Sequence, residues 1–290
     1  MDNYDGTMEA LHPLAGLEQR EEDELQTALR GYLQELIDRE PGVRLGADPE
    51  EVHKQRVATR RLRSVLRSTR SQLADPGRAE RLRDELRWLG RLLGEVRDRD
   101  VLIAYLIEEL GTIEEAAAFG GILELLDRER EAARNELLAA LDSARYRKLI
   151  GELERPPALR EGESLETASA AEYNRVRRDV KRLGSKPADE ELHRIRIKTK
   201  RARYSAEALG GESRFVRRAK DVQDVLGEHQ DAAVAEQRIR ELVAQVRGTG
   251  RTAFVAGRLI ERQRARRAAA RAAWPKAWKR LRRAGDEAWR

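Results

Sequence analysis

Apolar side chains recur along this chain at intervals of three and four residues, as at Leu25, Leu29, Leu33 and Leu36 and again at Ile122, Leu125, Leu126 and Ala133. That interval follows the turn of an α-helix, whereas a half-buried strand alternates every second residue, so the pattern predicts helices throughout and no sheet. Punctuation falls at Pro41-Gly42, Asp75-Pro76-Gly77, Gly111, Pro156-Pro157, Ser185-Lys186-Pro187, Gly210-Gly211 and Gly248. Each is a turn or helix-end signal, which divides the chain into about ten helices. Residues 1 to 13 lack the pattern and are expected to form a mobile tail that includes His12.

The helices fall into two similar sets. His53-Lys54-Gln55-Arg56-Val57-Ala58-Thr59-Arg60-Arg61-Leu62-Arg63 returns as His193-Arg194-Ile195-Arg196-Ile197-Lys198-Thr199-Lys200-Arg201-Ala202-Arg203. Downstream, Leu93-Gly94-Glu95-Val96-Arg97-Asp98 returns as Leu226-Gly227-Glu228-His229-Gln230-Asp231, with Arg87 matched to Lys220, and Tyr146-Arg147-Lys148-Leu149 returns as Trp278-Lys279-Arg280-Leu281. The period of roughly 130 to 140 residues is too long for a solenoid unit. It predicts two copies of a helical bundle, residues 14–155 and 165–285, joined by a linker at 156–164. The Leu-Gly-Glu elements read as helix ends, so Asp98 and Asp231 are expected to cap the helices that follow; a second reading has Asp98, Asp100 and Asp231 orient basic side chains from a neighbouring helix.

Charged residues make up 38% of the 290 and aromatics 4%, a balance suited to long solvated helices. With 58 basic and 52 acidic side chains the net charge is only +6, so affinity for an anion must come from local segregation of charge. Cysteine is absent, which removes disulfides, thiolate metal sites and cysteine nucleophiles. No apolar run approaches a membrane span, and the chain is expected to be cytoplasmic.

Segregation is plain in the first repeated block. On a helical projection Arg56, Arg60, Arg63 and Arg67 fall within an arc of about 80° beside His53. Leu62, Leu66 and Leu73 take the opposite face, and no acid occurs between Glu51 and Asp75. The second block puts His193, Arg196, Lys200 and Arg203 on the equivalent arc, opposite Ile195, Ala202, Ala206 and Leu209. Arg61 and Arg201 project about 80° from the histidines on the far side of the stripe. Glu207 stands where the first copy has Arg67, which shortens the second stripe. Like charges at i,i+4 repel, so something outside each helix must offset them: acids on neighbouring helices, or an external polyanion. Repetition of the acid-free pattern favours the polyanion, and arginine, which greatly outnumbers lysine, suits phosphate oxygens with its planar fork.

The two blocks, together with Leu93-Gly94-Glu95-Val96-Arg97-Asp98-Arg99-Asp100, resemble the paired signature of the CHAD family, the conserved-histidine α-helical domains, over residues 14 to 285. The resemblance implies an all-α fold of two pseudo-twofold-related helical bundles whose basic helices line a central groove or pore, and it implies binding of inorganic polyphosphate. It assigns ligand-facing positions to His53, Arg56, Arg60, Arg61 and Arg63 and to His193, Arg196, Lys200, Arg201 and Arg203. The stripe adds Arg67, with Arg87 and Lys220 as secondary candidates.

The histidines have no second ligand at i+3 or i+4, and arginines beside them disfavour a cation, so phosphate hydrogen bonding is expected of His53 and His193 rather than a metal site; no cofactor is expected. His229 reads as a local feature. The expected function is a non-catalytic polyphosphate-binding module that targets to or organises polyphosphate granules. Nucleic-acid binding is the alternative, although the scattered Trp88, Tyr204, Trp274, Trp278 and Trp289 form no stacking platform. A polyphosphate or triphosphate hydrolase is the second alternative, against which neither a Gly-x-x-x-x-Gly-Lys-Ser/Thr loop nor a Glu-x-Glu-x-Lys motif is found.

Overall fold

The computed structural model describes residues 12–160, 165–208, 213–246 and 248–289. Among them nine α-helices follow in order: α1 (His12–Leu45), α2 (Pro49–Ser68), α3 (Pro76–Leu110), α4 (Gly120–Leu141), α5 (Ala144–Leu153), α6 (Leu165–Lys181), α7 (Asp189–Glu207), α8 (Arg214–Gln245) and α9 (Gly250–Ala288), with a 3-10 turn at Ala116–Phe119. The all-α class holds. Residues 1–11 of the expected tail and the Gly210-Gly211 break lie outside the described residues, while His12 and Pro13 already begin α1.

Local chemistry explains most boundaries. Asp48 accepts from the Glu50 N–H at 2.9 Å with Pro49 in the first turn of α2, and Asp75 accepts from the Arg78 N–H at 2.7 Å with Pro76 opening α3. Both are side-chain caps followed by a proline that lacks a donor the first turn cannot use. Ser143 and Ser213 cap α5 and α8 in the same way.

Two expectations about helix ends are corrected. Pro41-Gly42 is no break, because α1 carries Pro41 inside it and ends at Leu45, where Gly46 takes the left-handed φ of 72°. An internal proline costs about 3 kcal/mol. Past it, the last turn is held by the buried Val43 and by the ion pairs of Arg44 with Glu40 (2.8 Å) and Asp142 (2.6 Å). Nor do Asp98 and Asp231 cap helices: α3 and α8 run straight through the Leu-Gly-Glu elements. Those glycines stand opposite arginines instead. A Cβ on Gly94 would sit 3.4 Å from Arg56 Nη2, and one on Gly227 would sit 3.6 Å from Arg196 Nε, so each bare backbone leaves a seat for a guanidinium from the neighbouring helix.

Three apolar cores hold the helices. The first joins α1, α2, the N-terminal half of α3, the end of α4 and α5, around Leu25, Leu36, Leu62, Leu66, Leu86 and Leu93. The second joins α6, α7, the first half of α8 and the second half of α9, around Tyr173, Ile195, Phe215 and Leu281. The third draws on both sets: Leu102, Leu106 and Leu126 from the first pack with Ile239, Leu242, Val255 and Leu259 from the second. The segment after α5 is tied to the α2–α3 turn, where Ala74 N–H donates to Ala158 O at 3.0 Å and Arg160 N–H to Gln72 O at 2.6 Å.

Candidate polyanion-binding site

His53 and His193 are each the fifth residue of their helix, so the repeated blocks occupy equal positions on α2 and α7. Each helix buries the side read as apolar: Val52, Ala58, Leu62, Val65 and Leu66 on α2, and Leu192, Ile195, Ala202 and Ala206 on α7; Leu209 lies outside the described residues. The remaining faces carry the arginines.

Tertiary packing brings Arg56, Arg60, Arg196 and Lys200 together. Arg60 Nε donates to Tyr204 Oη at 3.0 Å, and Tyr204 lies one turn beyond Lys200 on α7. Lys200 shows the electrostatic cost. Burial first, then the positive charges of Arg60 and Arg196, push its ammonium down to about 6, with Asp231 pulling back and Arg56 adding to the fall. Burial likewise lowers Arg196; Asp231 partly offsets the fall and Arg60 adds to it.

Two carboxylates trim this excess. Asp98 Oδ1 sits 3.5 Å from Arg56 Nη2. Two-thirds of its side chain is exposed, yet the surrounding protein thins its water enough to raise the carboxyl above its usual range; Arg56 lowers it, and Glu95 and Asp231 add to the rise. The second reading of the aspartates, as partners of basic side chains from another helix, therefore describes Asp98.

Each histidine meets the residue two places after its own Leu-Gly-Glu. His193 Nδ1 pairs with Gln230 Oε1 at 2.8 Å. An acceptor there puts the proton on Nδ1, so Nε2 donates to an anion only in the imidazolium form. Gln230 aligns with Arg97, whose charge opposes protonation of His53; burial is the larger cause of that lowering, Glu50 counters it, and Arg60 and Arg56 reinforce it. Sequence reasoning missed Arg97 and Gln230 as a pair, although the repeat alignment contained the signal.

Other candidates lie elsewhere. Arg63 is half-buried and held below the usual guanidinium range by burial, then by Arg87, Arg60, Arg83 and Arg67. Arg67 and Arg201 border a separate cavity. Arg61 turns to α1, 3.1 Å from Glu35 and over the Tyr32 ring. Arg203 is buried over Tyr204, 3.5 Å from Glu207, so the residue that replaces Arg67 in the second copy takes up a stripe arginine. Arg87 pairs with Asp84 at 2.8 Å, and Lys220 is exposed. His229 is buried with Nε2 3.2 Å from Asp189, which also binds Arg267 and Arg271. Among the described residues no group of three or more His, Asp or Glu converges as a metal site, and no helix is long and apolar enough to cross a membrane.

An all-α fold that presses two basic helices together, each with more basic than acidic side chains, defines a class of helical proteins with a concentrated cationic face. The chain belongs to the CHAD family, whose model, the CHAD domain, matches residues 27–240. It is 32% identical over 257 residues to the uncharacterized proteins MT2285 (strain CDC 1551 / Oshkosh) and Rv2226 (strain ATCC 25618 / H37Rv) of Mycobacterium tuberculosis, a match over 83% of this chain and 50% of each relative. The chain thus spans about half the length of these curated relatives. Among solved structures, the CHAD domain from the plant Ricinus communis superposes with a TM-score of 0.71 at 28% identity, covering 88% of this chain and 90% of that one. PptA from Streptomyces chartreusis superposes with a TM-score of 0.76 at 24% identity over 89% of this chain and 98% of that one, which is likeness of fold.

Proposed function

We propose that this chain binds inorganic polyphosphate in a groove between the basic faces of α2 and α7, as a non-catalytic module that targets to or organises polyphosphate granules in the cytoplasm. One observation carries the reading: Arg56, Arg60, Arg196 and Lys200 converge from the two repeats so closely that Lys200 is pushed down to about 6. Desolvated like charges are retained at a functional site when a ligand of opposite sign completes it. A thin chain with one negative charge per phosphate matches cations spaced a helical turn apart. Membership of the CHAD family supports the same ligand. Asp98 and Asp231 act here as partners of Arg56, Arg196 and Lys200 rather than as acid and base, which supports binding without hydrolysis.

The test is a competition titration of long polyphosphate against single-stranded RNA and duplex DNA at matched phosphate concentration and salt. Polyphosphate is expected to win, to weaken steeply with salt as its counterions are released, and to bind far more tightly than orthophosphate or pyrophosphate. Equal affinity for all three polymers would make this a general nucleic-acid binder.

A further inference from the structure

We propose that the cavity at the junction of α2, α3, α6 and α7 is a second anion site, which receives the doubly ionised terminal phosphate of a polyphosphate chain. The inference rests on the polyphosphate reading and adds to it an end-recognising pocket away from the Arg56–Lys200 cluster.

The cavity has a volume of about 310 Å3 and is lined by five arginines, Arg67, Arg70, Arg83, Arg175 and Arg201, against two carboxylates, Glu80 and Glu172. The lining therefore carries a formal excess of three positive charges. Glu80 is already shared, 2.6 Å from Arg83 and 3.4 Å from Arg70, while the buried Glu172 is taken by Arg175. Arg67 and Arg201 have no carboxylate within ion-pair reach among the described residues. Arg83 is 8% exposed, and its Nε is buried without a hydrogen-bond partner. Burial and then Arg67 hold Arg201 below the usual guanidinium range, with Glu172 only partly offsetting them. A buried donor without an acceptor and guanidiniums crowding one another are both relieved by an anion with several oxygens.

Charge density separates this pocket from the α2–α7 face. An internal phosphate carries one negative charge and two free oxygens; a terminal one carries up to two charges and three. The pocket also lies at the end of the stripe. Arg67 is 11 residues beyond Arg56 on α2, about 16 Å along the helix axis, and Arg63 feels both Arg60 and Arg67. A chain laid along α2 reaches the pocket with its end.

The experiment uses linear polyphosphate just long enough to span α2, either with free ends or with both terminal phosphates amidated, titrated into the full chain. The free-ended form is expected to bind about tenfold tighter, the size of one set of charge-assisted hydrogen bonds. Arg70→Gln with Arg175→Lys, half-exposed positions at which Glu80 keeps Arg83 and the buried Glu172 keeps a cation, should remove that advantage and leave the amidated chain's affinity unchanged. Arg60→Gln should weaken both forms and keep the ratio. Equal affinity of the two forms for the wild type, or an advantage that survives the double variant, overturns the end pocket while leaving polyphosphate binding in place. Failure of both forms to bind the wild type overturns the functional reading itself and the pocket with it.

Discussion

At the scale of the residue, Lys200 makes the electrostatics testable. Its ammonium is pushed down to about 6 in the folded chain, whereas an unfolded lysine titrates near 10.4. Between those values the unfolded state binds the extra proton, so this residue imposes a stability penalty that is full near pH 6 and shrinks as pH rises through the window. Lys200→Met is therefore expected to raise the melting temperature of the ligand-free protein at pH 7 while weakening polyphosphate binding, a trade checked by thermal denaturation beside a titration. A bound polyanion restores the proton, so affinity should climb as pH falls from about 8 to 6, by up to tenfold per unit for each proton taken up. His53 adds to the slope because it too is held low without ligand. Lys200→Arg combined with His53→Gln and His193→Gln should flatten the slope, measured with chains long enough that terminal phosphates are negligible. An unchanged slope would place all three side chains away from the ligand.

At the scale of the element, α2 carries opposite duties on opposite sides. Arg60→Gln should cut polyphosphate affinity severalfold with helix content unchanged by circular dichroism, because its side chain leaves the core and reaches across to Tyr204. Leu62→Ala, at a side chain 1% exposed, should cost about 2–5 kcal/mol in denaturant unfolding while the surviving folded fraction still binds. If the core variant lost binding without losing stability, the assignment of faces would be reversed. Both faces of α2 were legible in the sequence, as were the Asp75-Pro76 start of α3 and the apolar side of α7. The continuity of α1 through Pro41 was not, because it depends on the burial of Val43 and on Asp142, some 100 residues away. Nor was the passage of α3 and α8 through Gly94 and Gly227, since a glycine that seats an arginine looks, along the chain, like one that ends a helix.

At the scale of the molecule, the third core decides how the halves relate. Leu102, Leu106 and Leu126 of the first set share one core with Ile239, Leu242 and Leu259 of the second. A fragment ending at residue 155 would expose that surface, so it is expected to lack a cooperative thermal transition alone and to regain one when mixed with residues 156–290. A sharp, independent transition for each fragment would show that either bundle is self-sufficient.

The sequence by itself determined the helical class, the recurrence of the basic block of α2 on α7, the separation of basic from apolar faces and the family resemblance, because all four are written in residue spacing that a helix converts directly into geometry. Tertiary structure alone decided which cations meet. Arg61, adjacent to Arg60, turns to Glu35 and Tyr32, while Arg60 crosses to α7. Arg203 shares the arc of Lys200 yet lies buried beside Glu207. Arg70, Arg83 and Arg175 join Arg67 and Arg201 around one cavity from four helices and the turn after α2. Helical phase says which way a side chain leaves its own helix; what it then meets depends on where the other helices pack, and that is set by cores assembled from both ends of the chain.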